Sequence, residues 1–140
     1  MILAGGCHCK NITFALRWDP DPVEIRTRAC TCSFCTRHGA AWIAYPAGIL
    51  RVKLADPARV SAYAFETRTA EFHMCTTCGV VPVVTSRIDG TLYAVVNANT
   101  LDGVDPKRLV RADISFDGEA VDTRLSRRAR AWIGDVEIVT

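Results

Sequence analysis

A mainly β fold with little helix is the architecture that the 140-residue sequence predicts. Three observations predict it: short runs in which apolar and polar residues alternate, turn residues that punctuate them, and cysteines gathered in three small groups. A chain of this length buries roughly two-thirds of its unfolded surface, enough for one core, so a single domain over residues 1–140 is expected. Hydrophobic residues make up 49% and charged residues 23%, a globular balance that argues against disordered and fibrous classes. The net charge of +2 gives no motive for wrapping nucleic acid, which is therefore not an expected partner. No apolar stretch approaches the roughly 18 to 20 residues of a membrane span, so no membrane partner is expected either. Residues Met1 to Cys7 lack the basic start and longer apolar run of a secretory signal, and a reducing, cytoplasmic setting is expected. Self-association into a homo-oligomer is left open.

Taken in order, the first strand is expected at Ile12 to Leu16, where apolar and small or polar residues alternate until Asp19-Pro20-Asp21-Pro22 breaks the run. Further strands are expected at Val23 to Arg28, Ala41 to Tyr45, Leu50 to Leu54, Arg59 to Phe65, Ala70 to His73, Val80 to Ser86 and Thr91 to Asn97. Asp89-Gly90 joins the last two as a two-residue hairpin, since these residue types tolerate the positive φ angles of a type I′ turn. Pro106 to Leu109 reads as one helical turn. Thr123 to Trp132 is the one longer helix, capped by Asp122 or Thr123, ended by Gly134, with Leu125, Ala129 and Trp132 on one face. Its remaining surface carries Arg124, Arg127, Arg128 and Arg130, expected as a solvated face in preference to an anion-binding patch.

The cysteines are the unusual feature. Seven of them cannot all pair as intrachain disulfides. They fall as Cys7-His8-Cys9, Cys30-Thr31-Cys32-Ser33-Phe34-Cys35 and Cys75-Thr76-Thr77-Cys78-Gly79, and such close spacing lets neighbouring thiolates point at a common centre without a long loop to order. Redox chemistry is the competing reading of a C-x-x-C pair, but it belongs with βαβ units, and little helix is expected here. Zinc takes four ligands, and soft thiolates select it over hard cations. Seven therefore divides into four and three, implying two zinc ions per chain. Gly79 after Cys78 suits a zinc knuckle, where the chain folds back so that backbone N–H groups reach the sulfurs. Cys7, Cys9, Cys75 and Cys78 are assigned to a closed structural site, and Cys30, Cys32 and Cys35 to a site with an open fourth position. His38, His8, His73 or an aspartate would close the second site if one of them joined it. For His8 and His73, an exposed or hydrogen-bonded side chain is the expectation.

These motifs resemble the glutathione-dependent formaldehyde-activating enzyme family, which also includes the centromere protein V type domain. The resemblance lies in Gly6-Cys7-His8-Cys9, the stretch Cys30 to Ala40, Cys75-Thr76-Thr77-Cys78-Gly79, Tyr63 and Asn99-Thr100-Leu101-Asp102, and runs from about Gly5 to Asp105. Met74 and Thr36 depart from the residues usual at their positions. The resemblance implies an Mss4-like fold of short antiparallel sheets, a structural four-cysteine zinc and a catalytic zinc on Cys30, Cys32 and Cys35. It also implies a carbon–sulfur lyase joining formaldehyde and glutathione reversibly as S-(hydroxymethyl)glutathione, so a small-molecule thiol and an aldehyde are the expected partners. Carboxylates on such a thiol call for cations, and Arg37, then Arg28, are the substrate-binding candidates. Ser33 and Thr36 are expected to cap the metal loop or bond to a thiolate. Phe34, Trp42 and Tyr45 are expected in the core, with the wall of a pocket as their other role. A zinc-stabilised protein- or nucleic-acid-binding module, using Arg124 to Arg130 as its contact surface, is the alternative from a different class.

Overall fold

The computed structural model describes residues 1–140. Its elements are β1 (Ile2–Gly6), β2 (Ile12–Arg17), β3 (Ile25–Cys30), α1 (Ser33–His38), β4 (Trp42–Ile43), β5 (Ile49–Leu54), β6 (Val60–Tyr63), β7 (Glu71–Cys75), β8 (Val83–Ile88), β9 (Thr91–Asn97), β10 (Leu109–Ile114), α2 (Val121–Ala131) and β11 (Asp135–Val139). They form a four-stranded sheet in the order β1-β2-β5-β11 and a seven-stranded sheet in the order β10-β3-β4-β9-β8-β7-β6. The mainly β, Mss4-like architecture expected from the sequence is present.

The alternating runs form strands because one face of each is covered. In β2, Ile12, Phe14 and Leu16 are buried while Arg17 is exposed, and they pack with Leu3, Leu50 and Val52 of the same sheet. Across from them lie Ile25, Ile43, Val83 and Val96 of the larger sheet, completing the main core. Strands β8 and β9 are buried on both faces: Val83, Ala94 and Val96 join this core, while Val84 and Val95 face a second cluster with Trp42, Cys35 and Trp132. That double burial accounts for consecutive apolar Val83 and Val84, while the strand expected from Val80 begins only at Val83. Asp89 (φ 50°) and Gly90 (φ 81°) make the expected hairpin turn, with Ile88 opposite Thr91.

Four features depart from the sequence reading. Strands β1, β10 and β11 and helix α1 were not expected. The sheets are mixed instead of antiparallel throughout: β10 runs parallel to β3, with Ile114 opposite Cys30, and β11 runs parallel to β5. Both are edge strands that add to partners distant in sequence, and β10 is largely exposed, so it carries little burial pattern to read. Pro106–Arg108 does form the short turn, as a 3-10 helix leading directly into β10. Finally, α2 starts at Val121 with no side-chain cap. It does not end on a left-handed glycine at Gly134, because Trp132 turns extended and Ile133 is drawn into a bridge with Ala94 of β9.

Candidate metal centres

The first cluster joins two turns of similar construction. At the end of β1 the Cys7 N–H donates to Ile12 O (2.8 Å) and Lys10 N–H to Cys7 O (3.1 Å); at the end of β7 the Cys75 N–H donates to Val80 O (3.0 Å) and Gly79 N–H to Cys75 O (2.8 Å). Each turn needs a residue in the left-handed region, Lys10 at φ 66° and Gly79 at φ 80°. The four Sγ atoms of Cys7, Cys9, Cys75 and Cys78 lie within 4.8 Å of one another, with Cys7 to Cys9 at 3.8 Å and Cys9 to Cys75 at 3.5 Å. A tetrahedron of thiolates at 2.3 Å from a central ion has edges of about 3.8 Å, so this donor set could hold a metal ion. Ile12 N–H donates to Cys7 Sγ at 3.2 Å, the kind of backbone bond that stabilises ligand sulfur. Burial pushes the Cys7 thiol up to about 11 despite that bond. Burial acts the same way on Cys78, but the backbone N–H groups of Cys9 and Val80 outweigh it and bring the thiol down to about 6.

Local construction is the mark of the second cluster. Cys30 ends β3, Cys32 occupies the N-cap of α1, and Cys35 lies in the first turn, where its N–H donates to Cys32 Sγ at 3.3 Å. A sulfur thus does the capping that a serine or threonine hydroxyl ordinarily does. Gly39 at φ 63° ends the helix, and Asn99 Nδ2 donates to its carbonyl at 2.7 Å. The three Sγ atoms lie within 4.8 Å of one another, and no histidine or carboxylate joins them at that range. The hydrogen bond from Cys35 lowers the Cys30 thiol to about 6 against the effect of burial, while Cys35 is pushed up by Cys30 and by burial. Like the first, this cluster can hold a metal ion, with one position uncommitted.

The cluster opens on a cavity of about 110 Å³. Its walls include Cys30, Cys32 and Cys35 on one side, Trp42, Phe65, Phe72 and Trp132 around it, and Arg28, Arg124, Arg127 and Arg128. Of the expected aromatics, Trp42 lines the cavity, Phe34 packs tilted against Phe65 (5.1 Å) and edge-on against Phe72 (4.7 Å), and Tyr45 instead stacks on Trp18 at 4.2 Å. Tyr63 packs on Phe34 at 5.3 Å. His38 lies against the Phe34 ring (4.5 Å), His8 is exposed, and His73 bonds Thr85 Oγ1 at 2.7 Å, burial lowering its pKa. Arg28 lines the cavity, whereas Arg37 is exposed and donates to Ser33 O of its own helix at 2.9 Å. Ser33 and Thr36 are exposed and bond to neither sulfur, because Cys32 already caps the helix.

The expected solvated arginine face is corrected. Arg128 is 7% exposed, the side chains of Arg124 and Arg127 are 12% and 17% exposed, and of the four only Arg130 faces water. The helix is turned so that Arg124 and Arg128, one turn apart, line the cavity, with Arg128 reaching Ser86 of β8, while Ala129 is exposed. The contact surface imagined for a binding module is therefore absent. These inward arginines, together with Asp117, Glu66, Phe65, Phe72 and Phe116, are cavity residues that the sequence reading missed.

The model of the family described as glutathione-dependent formaldehyde-activating enzyme matches residues 2–116. The chain belongs to this family. A solved Rhodobacter sphaeroides protein of the same architecture is 32% identical, with a TM-score of 0.55, and the match covers 74% of this chain and 92% of that one. No curated protein matches the chain. Within this glutathione-dependent formaldehyde-activating enzyme family member, β10 falls inside the matched residues and α2 falls beyond them. No helix is long and apolar enough to cross a membrane.

Proposed function

We propose that this family member is a zinc-dependent carbon–sulfur lyase that joins an aldehyde to a thiol and cleaves the adduct reversibly, as S-(hydroxymethyl)glutathione synthase does with formaldehyde and glutathione. In this reading Cys7, Cys9, Cys75 and Cys78 hold a structural zinc, and Cys30, Cys32 and Cys35 hold the catalytic one. The observation that carries it is the contrast in donor number: four sulfurs complete one centre, and three sulfurs border a cavity at the other. Zinc bound at the second centre would supply Lewis acidity and favour the thiolate form of an incoming thiol.

The chain's own residues do the rest. Trp42, Phe65, Phe72 and Trp132 keep the reacting atoms in a partly dry space, where a thiol and an aldehyde are held near one another and their encounter becomes effectively intramolecular. In the forward direction the sulfur forms a bond to the aldehyde carbon, and the thiol proton ends on the former carbonyl oxygen. Seven free thiols suit a reducing compartment, and a small thiol and an aldehyde are the partners.

The reading is tested by metal analysis combined with NMR of 13C-formaldehyde and glutathione. Two zinc ions per chain and faster exchange between free and adduct carbon are expected. One zinc ion, or exchange no faster than without protein, would remove the open-site lyase. In cobalt-substituted protein, added glutathione should intensify the sulfur-to-metal charge-transfer band.

A further inference from the structure

The arginines that α2 turns inward are not all neutralised. Arg127 is bound by Glu119 through Nε (3.1 Å) and Nη2 (3.1 Å), and its guanidinium stacks 3.6 Å from the Phe116 ring centre. Arg124 lies 3.4 Å from Glu119 and 3.7 Å from Glu66. Arg128 has no carboxylate within ion-pair distance. Its Nη1 donates to Thr69 Oγ1 (2.8 Å) and Ser86 Oγ (3.2 Å), both neutral, and its guanidinium lies 5.0 Å from the Trp132 ring centre. The Arg128 Nε is buried with no partner at all. A cation 93% removed from water, with an orphaned donor and no counter-charge, is costly unless an anion completes it.

A second cation, Arg28, lines the same cavity from β3. The Arg28 side chain is half-buried and makes no hydrogen bond and no ion pair. It shares a face of β3 with Cys30, two residues along, so its Cα is only about 7 Å from that of the metal-cluster cysteine. The cavity's own carboxylates, Glu66 and Asp117, pair with neither Arg28 nor Arg128. At about 110 Å³ the cavity is smaller than the roughly 300–1,000 Å³ that encloses a drug-sized ligand, so it takes a compact group lying close to the sulfurs.

We infer that this cavity selects a thiol carrying a carboxylate a few bonds from its sulfur, with Arg28 and Arg128 as the two cations that hold it. The inference rests on the reading of Cys30, Cys32 and Cys35 as the thiol-accepting centre. Of the two cations, Arg28 lies within the residues 2–116 matched by the family model, whereas Arg128 is carried by α2, beyond them.

The test uses the full-length, cobalt-substituted protein and two probe thiols, 3-mercaptopropionate and neutral 2-mercaptoethanol, read by the charge-transfer band. The carboxylate thiol should bind about tenfold or more tightly than the neutral one, the scale of a charge-assisted hydrogen bond. Arg28→Met and Arg128→Met should each erase most of that preference while leaving 2-mercaptoethanol binding unchanged, and Arg28→Lys should recover part of it. Equal binding of the two thiols by the wild type, or equal weakening of both in the variants, would overturn the inference. Arg28 is half-buried on a strand, so its variant serves even if Arg128→Met does not fold. Should neither thiol reach the metal, the thiol-centre reading fails, and glutarate titration followed by tryptophan fluorescence then decides the anion site. Saturable glutarate binding that Arg28→Met abolishes supports the site; no binding overturns it.

Discussion

The two cysteine clusters use the same atom for different ends, and the difference lies in how each is tied to the chain. Cys7 and Cys9 reach Cys75 and Cys78 across the fold, so a metal among them staples β1 to β7. Cys30, Cys32 and Cys35 come from one junction, β3 to α1, and hold together nothing that the strand and the helix cap do not already hold. The first cluster closes a large loop in the chain. The second opens on a cavity. A binding free energy of the order of 10 kcal/mol, apparent for structural zinc, is folding free energy only where the ligands are brought together by folding. The four-cysteine cluster meets that condition, whereas the three cysteines are already brought together by one strand-to-helix junction.

The largest expected effect follows directly. Cys78→Ser should abolish cooperative unfolding in circular dichroism and lower the zinc content, whereas Cys30→Ser should release one equivalent and leave the thermal transition nearly in place. Equal unfolding of both variants would erase the distinction between the clusters. Next in size is the effect on the proposed lyase activity: if the chain catalyses aldehyde–thiol exchange, Cys30→Ser should remove it in a protein that remains folded by the same circular dichroism signal.

A smaller effect distinguishes the two turns of the four-cysteine cluster. At Gly79 an added Cβ meets no atom within 4 Å, so Gly79→Ala tests backbone alone and should cost about 1–2 kcal/mol in urea unfolding. Lys10 holds the equivalent left-handed conformation without being glycine and bridges Asp102 at 2.8 Å in an exposed pair. Lys10→Gly should therefore change stability by less than about 1 kcal/mol, strain relief and the lost surface pair opposing one another.

On the cavity side, Glu119→Gln should cost about 1–3 kcal/mol, because Arg127 loses a bidentate carboxylate. The Arg127 hydrogen bonds hold the Glu119 carboxyl below its ordinary 4.5 in the face of partial burial. That contribution is present above the unfolded value and lost as pH falls through the lower folded one. The stability difference between wild type and Glu119→Gln should consequently be constant near neutrality and close only below about pH 4.5. A difference that persists at the acid end would mean that packing, not charge, is what Glu119 supplies. Glu119→Gln should leave the metal content of the four-cysteine cluster unchanged.

Much of this organisation was legible in the residues. Ile12 to Leu16, Leu50 to Leu54 and the Asp89-Gly90 hairpin announce themselves because alternation and turn chemistry are local. Helix α1 did not, since six residues carry no period and its cap is a sulfur, which no capping rule anticipates. β10 and β11 did not, because exposed parallel edge strands depend on partners far along the chain. The apolar face drawn through Leu125, Ala129 and Trp132 was misplaced at Ala129, which is exposed, while Arg128 is buried.

The metal-ligating potential of this protein, and its division into four sulfurs and three, were determined by sequence alone, since side-chain identity and one- or two-residue spacing are covalent facts that folding does not alter. What stands opposite the three sulfurs was decided only by the tertiary structure. An arginine on a helix turns to water or inward according to whether hydroxyls and aromatic faces await its guanidinium. For Arg128 and Arg127 those partners are Thr69, Ser86, Phe116 and Trp132, which meet only after the loop before β7, β8, the segment following β10 and the end of α2 have packed together.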